Sequence, residues 1–177
     1  MAIVGLCVPV AYAGFAVASK TIATNGINTS LAKKQLTQKE IIVTPTPFNA
    51  ALWYAIARDT AGYYIGYRSV FDKHTTDFTY HSRNDQLITG IQNRADIVYL
   101  KKFADNFYTV ENRNDTLLFN VLRFGKVAGW YHPEARFMLY YYINYPQANE
   151  LAVQRGRFQG WNRRTIKAYL ERILGKP

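Results

Sequence analysis

Three histidines are the first residues to test for metal or acid–base chemistry. They stand at His74, His81 and His132. Two histidines at i and i+4 on a helix are a usual zinc-binding pattern, and no pair here has that spacing or a cysteine beside it. His74 and His81 fall in a stretch typical of loop and strand, and His132 precedes a proline in a turn. The sequence therefore predicts no metal site in this chain.

The carboxylates, the serines and the cysteine show no catalytic pattern either. No serine occupies a nucleophile elbow, and no glycine-rich phosphate loop is present. The single cysteine, Cys7, lies in an apolar segment, where a small buried thiol is the ordinary expectation. We predict no catalytic residue, because most aspartates stand at turns or helix starts, where they satisfy backbone donors: Asp59, Asp72, Asp77, Asp85, Asp96, Asp105 and Asp115.

Arg123 is the one charge that stands out as a binding candidate. It lies in "LRFG", between Leu122 and Phe124, at the end of a predicted hairpin strand. A guanidinium among apolar neighbours is suited to a phosphate or a carboxylate. The alternative is that strand alternation turns the side chain to solvent. We name Arg123 as the candidate substrate-binding residue and leave that alternative open.

The elements that would position a site begin with an apolar segment. Residues 2–18 carry no charge and end at Ser19-Lys20, and about 20 apolar residues usually cross a bilayer. We interpret residues 1–20 as the last transmembrane helix of a longer protein, with this chain starting inside it. A signal peptide cleaved after "AYA" or "AVA" is one alternative, although it lacks a basic n-region. A single true membrane anchor is the other.

Residues 21–43 are expected to be a polar linker. The stretch "TNGINTS" within it is typical of a loop, and "TPTP" at 44–47 favours an extended lead-in to a strand. The positive-inside rule would place the soluble domain on the cytoplasmic side, because four lysines precede the first acidic residue: Lys20, Lys33, Lys34 and Lys39.

Residues 44–177 are predicted to form a soluble β-rich domain. Aromatic residues make up 15% of the chain, with 14 tyrosines, and they favour strands. Alternation and turn signals predict strands at 50–58, 63–71, 76–82 and 136–145, a hairpin at 107–125 and a short helix at 95–106. The predicted fold class is α+β, with an N-terminal transmembrane helix before a small antiparallel sheet and one or two covering helices.

An amphipathic helix is predicted at 161–174, since its apolar residues recur at i, i+3, i+4, i+7 and i+8. We expect that apolar face on the sheet and the basic face in solvent; the alternative is a helix lying on an anionic membrane. The net charge of +10 favours an anionic lipid surface as partner, and no nucleic-acid motif is present. The residues of the apolar face are Ile166, Tyr169, Leu170, Ile173 and Leu174.

Two stretches resemble a known family. "PTPFNAALWYAIARDTAGYYIGYRSVFD" and "YTVENRNDTLLFNVLRFG", with the spacing between them, are similar to the C-terminal region of bacterial inner-membrane proteins described as predicted metal-dependent hydrolases. This is the LexA-regulated, membrane-bound hydrolase-like family. The resemblance covers roughly residues 1–145, and the basic tail is less familiar.

The resemblance implies that this chain is the soluble appendage of a membrane-bound hydrolase in the bacterial inner membrane. The family's presumed divalent-metal ligands lie in upstream membrane helices, so no metal or catalytic position carries over to this chain. The upstream helices would then be a partner in the same protein. The second function class is a non-catalytic, membrane-anchored β-domain that binds a ligand or a protein partner.

Overall fold

Two small antiparallel sheets and a long N-terminal helix make up an α+β fold. The computed structural model describes residues 2–113, 116–149 and 162–176. The first sheet has the order β1-β2-β3-β4 and the second the order β5-β6-β7. The helices are α1 (Ala2–Lys33), α2 (Ala95–Phe103) and α3 (Arg163–Ile173), with short 3-10 helices at Asp85–Ile91 and Pro146–Ala148. The strands are β1 (Glu40–Pro45), β2 (Leu52–Arg58), β3 (Gly62–Ser69), β4 (Phe78–Ser82), β5 (Tyr108–Arg113), β6 (Thr116–Lys126) and β7 (Phe137–Tyr142).

Alternation along β2 divides the core into layers. Tyr54 and Ile56 face the second sheet, where they join a buried cluster with Phe107 and Leu122. Ala55 and Ala57 face the opposite way, toward α1. Successive strand side chains point to opposite faces, so β2 is buried on both sides. A third cluster lies on the far face of the second sheet, under α2 and the first 3-10 helix.

The prediction of a polar linker at 21–43 is wrong for its first part, because α1 continues to Lys33. Ala23, Ile27 and Leu31 recur every four residues and are buried. Ile27 and Leu31 pack on Ala55 and Ala57, whose small side chains let the helix approach the sheet. This packing outweighs the weak helix propensity of the Asn, Gly and Thr residues in "TNGINTS".

The last part of the predicted linker is a strand and not a linker. Residues Glu40–Pro45 form β1, an edge strand that pairs antiparallel with β2 from Glu40↔Arg58 to Pro45↔Trp53. A proline is tolerated at the end of an edge strand, because one side of it makes no ladder bonds. The single expected sheet is therefore two sheets, of four and three strands.

We call the N-terminal half of α1, before Ser19, its outer half, and it is mostly exposed from Val8 onward. Val8, Val10, Tyr12 and Val17 each show about half or more of their surface to solvent, and burial begins at Ser19. A helix covers this region as expected. Among the residues that the structure describes, no helix is long and apolar enough to cross a membrane. The structure thus lends no support to the membrane-crossing part of the prediction for residues 1–20.

The contacts of α1 fix its direction along the first sheet. Lys34 pairs with Asp77 at 2.9 Å, and one helical turn earlier the Ser30 hydroxyl accepts a hydrogen bond from the Thr76 backbone. Farther toward the N-terminus, Gly26 lies against Arg68, which is one residue from the end of β3. The outer half therefore leaves the domain at the end of the sheet formed by Pro45, Leu52 and Ser69.

Helix α3 packs at the same end of the first sheet. Asn162 caps its first turn by accepting from the Thr165 backbone at 3.0 Å. Tyr169 is buried and donates to the Pro47 carbonyl oxygen at 2.5 Å, and the Ser69 hydroxyl donates to the Ile173 carbonyl oxygen at 2.6 Å. The helix exists as predicted, but its buried side differs from the expected apolar face. Three of the five residues expected on the sheet are exposed: Ile166, Leu170 and Leu174.

Candidate functional site

A buried lysine lies where the second sheet meets the first. Lys126 is the last residue of β6, and it is only 5% exposed. Lys126 lies on the same face of the strand as buried Leu122, four residues earlier, and a register shift between Val121 and Lys126, with Gly125 at φ 77°, interrupts the pairing with β7 just before it. The ammonium donates to His81 Nε2 at 2.9 Å and to the Pro133 carbonyl oxygen. It also lies 5.0 Å from the centre of the Phe137 ring, within cation–π range.

Burial shifts the pKa values of both Lys126 and His81. It lowers the pKa of Lys126, and the charges of Glu134 and Glu111 oppose that shift without cancelling it. Burial and the neighbouring Lys126 charge lower the pKa of His81 to about 4. His81 is therefore neutral near pH 7, and its Nε2 accepts from the lysine. Within the described part of the chain, no carboxylate forms an ion pair with Lys126.

Two aromatic side chains stand next to this lysine and separate two cavities. Tyr67 and Trp130 meet edge-on with ring centres 6.5 Å apart, and Trp130 packs against Tyr169 of α3 at 4.4 Å. Burial raises the pKa of the Tyr67 hydroxyl, so it stays protonated. Gly129 is required beside it, because a Cβ there would overlap the Tyr67 hydroxyl. Lys126, Tyr67 and Trp130 line both cavities.

The first cavity is apolar. It has a volume of about 360 Å³, at the small end of the usual range for ligand pockets of about 300–1,000 Å³. Its walls come from the β1–β2 loop, from β2, from the end of β6 and from β7, and Lys126 is its only charged lining residue among those described. The main apolar groups are Pro45, Phe48, Tyr54, Phe124 and Met138.

The rim of the apolar cavity contains two strained residues. Phe48 has φ 60° and Ala128 has φ 54°, in the left-handed region that costs a non-glycine residue about 1–2 kcal/mol. Phe48 is also 98% exposed. Asn49 holds this loop in place, since its side-chain oxygen accepts from the Leu52 backbone at 2.7 Å and its amide donates to the Thr46 hydroxyl at 2.8 Å. A bulky aromatic held in this way is typical of a binding loop.

The second cavity is polar and lies on the other side of Tyr67. Its volume is about 290 Å³, and Asp72, His74 and Arg172 are among its lining residues. Arg172 makes a two-pronged ion pair with Asp72, with N–O distances of 2.6 and 2.8 Å, and donates to the Tyr67 carbonyl oxygen at 2.9 Å. This pair fastens α3 to the turn after β3, and it leaves the charge in this cavity balanced.

Arg123 lies elsewhere. Its side chain is exposed and makes a long contact of 3.4 Å to the Phe103 carbonyl oxygen. It does not line either cavity, although the next residue, Phe124, lines the apolar one. Its role in substrate binding stays a prediction.

The three histidines occupy separate places. His74 lines the polar cavity, His81 contacts Lys126, and His132 packs against Tyr131 in a turn. In the described residues there is no group of three or more His, Cys, Asp or Glu that could hold a metal ion. The side chain of Cys7 lies outside the described part of the chain, as do Arg155 and Arg157 of the basic tail.

Sequence reasoning missed Lys126 as a site residue. In "RFGKVAGW" a lone lysine after a glycine is ordinary for a strand end at the surface. The only signal is Gly125, whose positive φ marks an irregularity of the strand just before the lysine.

The comparisons with known proteins found no likeness. No protein-family model, curated protein or solved structure matched the chain. The resemblance to membrane-bound hydrolases therefore stays a prediction, and the site must be interpreted from its own geometry.

Proposed function

We propose that this chain is a membrane-attached domain that binds an amphiphile, with the ligand's apolar body in the apolar cavity and its anionic head beside Lys126. The observation that carries the proposal is the position of this buried ammonium on the wall of an apolar cavity, without an ion-pair partner among the described residues.

A buried cation without an ion-pair partner is costly, because the low-dielectric interior does not solvate it. Two changes relieve the cost: loss of the proton, consistent with the lowered pKa of Lys126, or arrival of an anion. A carboxylate or phosphate head supplies that anion and restores the charge balance. The size of the cavity suits one acyl chain or ring system rather than a two-chain lipid.

Membrane attachment rests on the outer half of α1. Residues 8–18 carry no charge and are almost all exposed, and apolar side chains such as Val10, Tyr12 and Phe15 project from them. Burial of such side chains contributes about 25 cal/mol per Å² of apolar surface removed from water. Insertion into lipid, alone or beside other membrane helices, is the burial that we propose.

This proposal takes up the non-catalytic, membrane-anchored β-domain as the function class that the geometry favours. The hydrolase appendage stays a prediction beside it, with its divalent metal and its location in the bacterial inner membrane. A ligand-binding appendage would serve a membrane enzyme by holding its amphiphilic substrate, so the two interpretations share the same test.

The test is photo-crosslinking of the full chain in lipid nanodiscs. A fatty acid with a diazirine on its chain is compared with the corresponding alcohol, and the labelled peptides are identified by mass spectrometry. We expect the acid to label the β1–β2 loop and the end of β6 at least about tenfold more than the alcohol, a preference worth about 1.4 kcal/mol. Label on α1, which faces lipid, is the internal reference.

Three variants sharpen the result. Lys126→Met removes the charge and keeps most of the stem, so labelling by the acid should fall to the level of the alcohol. Lys102→Met, which removes an exposed lysine of α2, should change nothing. Met138→Trp fills the cavity and should abolish labelling of the β1–β2 loop and of the end of β6, while α1 is still labelled. Equal labelling by acid and alcohol in the wild type, or unchanged labelling in Met138→Trp, contradicts the proposal.

A further inference from the structure

We infer that the exposed apolar stripe of α3, formed by Ile166, Leu170 and Leu174, is a docking face that lies flat on an anionic bilayer together with Phe48 and Phe71. The inference rests on the membrane attachment proposed above and does not depend on the ligand in the cavity. It assigns the orientation of the domain on the membrane.

The apolar stripe of α3 is the first observation. Ile166, Leu170 and Leu174 recur every four residues, so they share one face of the helix, and they are 46%, 56% and 61% exposed. The buried residues Thr165 and Tyr169 each lie about 100° around the helix from the stripe residue that follows them. The helix therefore keeps an apolar stripe exposed beside its buried face, where a covering helix of a soluble domain is usually polar.

Two exposed phenylalanines lie near α3. The Tyr169 hydroxyl donates to the Pro47 carbonyl oxygen, so the loop that carries the exposed Phe48 contacts the helix. At the C-terminal end of the helix, Gly175 lies against the backbone of Phe71, which is 52% exposed. An exposed apolar patch of this kind marks an interaction site.

The direction of α1 is an independent observation. Its exposed outer half leaves the domain at the end of the first sheet formed by Pro45, Leu52 and Ser69. The β1–β2 loop comes directly after Pro45, and Ser69 is bonded to Ile173 of α3. Whatever surface α1 enters is therefore the surface that α3, Phe48 and Phe71 approach.

The charges at this end favour lipid over a protein partner. Exposed Arg163, Arg164, Lys167 and Lys176 lie on or next to α3, and Lys20 is exposed on α1 where its buried part begins. An apolar stripe bordered by basic side chains is the pattern of a helix at the membrane interface. Each such cation contributes to attraction toward anionic lipid, and salt screens that attraction.

The experiment maps which residues touch lipid in the full chain. In a Cys7→Ala background, single cysteines replace Leu170, Phe48 or Val98, and each is labelled with an environment-sensitive fluorophore. Val98 is the matched control, since it is an exposed apolar residue on α2. The protein is placed in vesicles of three parts phosphatidylcholine to one part phosphatidylglycerol, with or without a nitroxide near the lipid headgroup. Flotation measures attachment separately.

We expect the nitroxide to quench the labels at 170 and 48 at least about threefold more than the label at 98. Adding Ile166→Glu and Leu174→Glu should remove quenching at 48 while the protein still floats with the vesicles. Floating protein with no quenching at 170 and 48, or with equal quenching at all three positions, overturns the docking face but not the attachment. Protein that does not float overturns both. Quenching at 170 and 48 that needs an added protein would assign the face to a protein partner instead.

Discussion

Two cations of the same strand, three residues apart, have opposite environments. Arg123 is exposed and Lys126 is buried, and strand residues three apart point to opposite faces of a sheet. The sequence supplied a reason to consider Arg123 and none to consider Lys126, since the contact of Lys126 with His81 joins positions 45 residues apart in the chain. Site residues defined by such a distant contact lie beyond sequence reasoning.

His81 makes the stability of the domain depend on pH. Its folded-state pKa is about 4, below the ordinary value of 6.5, because the folded protein disfavours the charged ring. As pH falls from 6.5 toward 4, the unfolded chain takes up a proton that the folded chain does not. The unfolded state is then favoured, by at most about 1.4 kcal/mol per pH unit.

We therefore expect the free energy of unfolding to decrease as the pH is lowered from 6.5 to about 4. The decrease should be steeper in the wild type than in His81→Gln, which keeps an acceptor for Lys126. Urea denaturation of both proteins between pH 7 and about pH 4 measures the difference. Parallel curves would show that His81 titrates alike in the folded and unfolded states.

At the scale of elements, local pattern predicted most of the chain and contacts between distant segments explain the rest. The hairpin expected at 50–58 and 63–71 is present as Leu52–Arg58 and Gly62–Ser69, because a short turn between two strand-like stretches is a local signal. The extension of α1 to Lys33 depends instead on Ile27 meeting Ala55 across the domain. No local pattern reports that contact.

The attachment of α3 to the domain should depend on the ion pair between Arg172 and Asp72, and not on the exposed pair between Lys167 and Glu171. Arg172 and Asp72 are 16% and 10% exposed, so Arg172→Met leaves an unpaired carboxylate with little solvation and should cost about 3 kcal/mol of unfolding free energy. Lys167 and Glu171 are 78% and 44% exposed at 3.9 Å, so Lys167→Met should change stability by less than about 0.5 kcal/mol. Chemical denaturation compares the two, and equal effects would contradict this account.

The whole molecule is layered, with α1 covering one face of the first sheet and the second sheet covering the other. Its minimal folded unit consequently starts earlier than the boundary at residue 44 that composition suggests. Removing residues 1–38 would strip Ile27 and Leu31 from the sheet and leave Ala55 and Ala57 in water.

A chain of residues 19–177 should therefore be more stable than one of residues 39–177, by about 3–5 kcal/mol for the two large side chains alone. Thermal denaturation and size-exclusion chromatography of the two truncated proteins measure this, with the shorter one expected to melt lower and to associate through its uncovered sheet. Equal melting temperatures would mean that residues 21–33 do not contribute to the fold.

The continuity of α1 has a mechanical consequence. Its 32 residues make a rod about 48 Å long, and its inner turns are clamped to the sheet at Ile27, Leu31 and Lys34. A domain on a flexible linker turns independently of its anchor, whereas here a twist or tilt applied to the outer end of the rod is a torque on the sheet itself. Since Tyr54 on the other face of β2 lines the apolar cavity, such a torque reaches the cavity wall through a single strand.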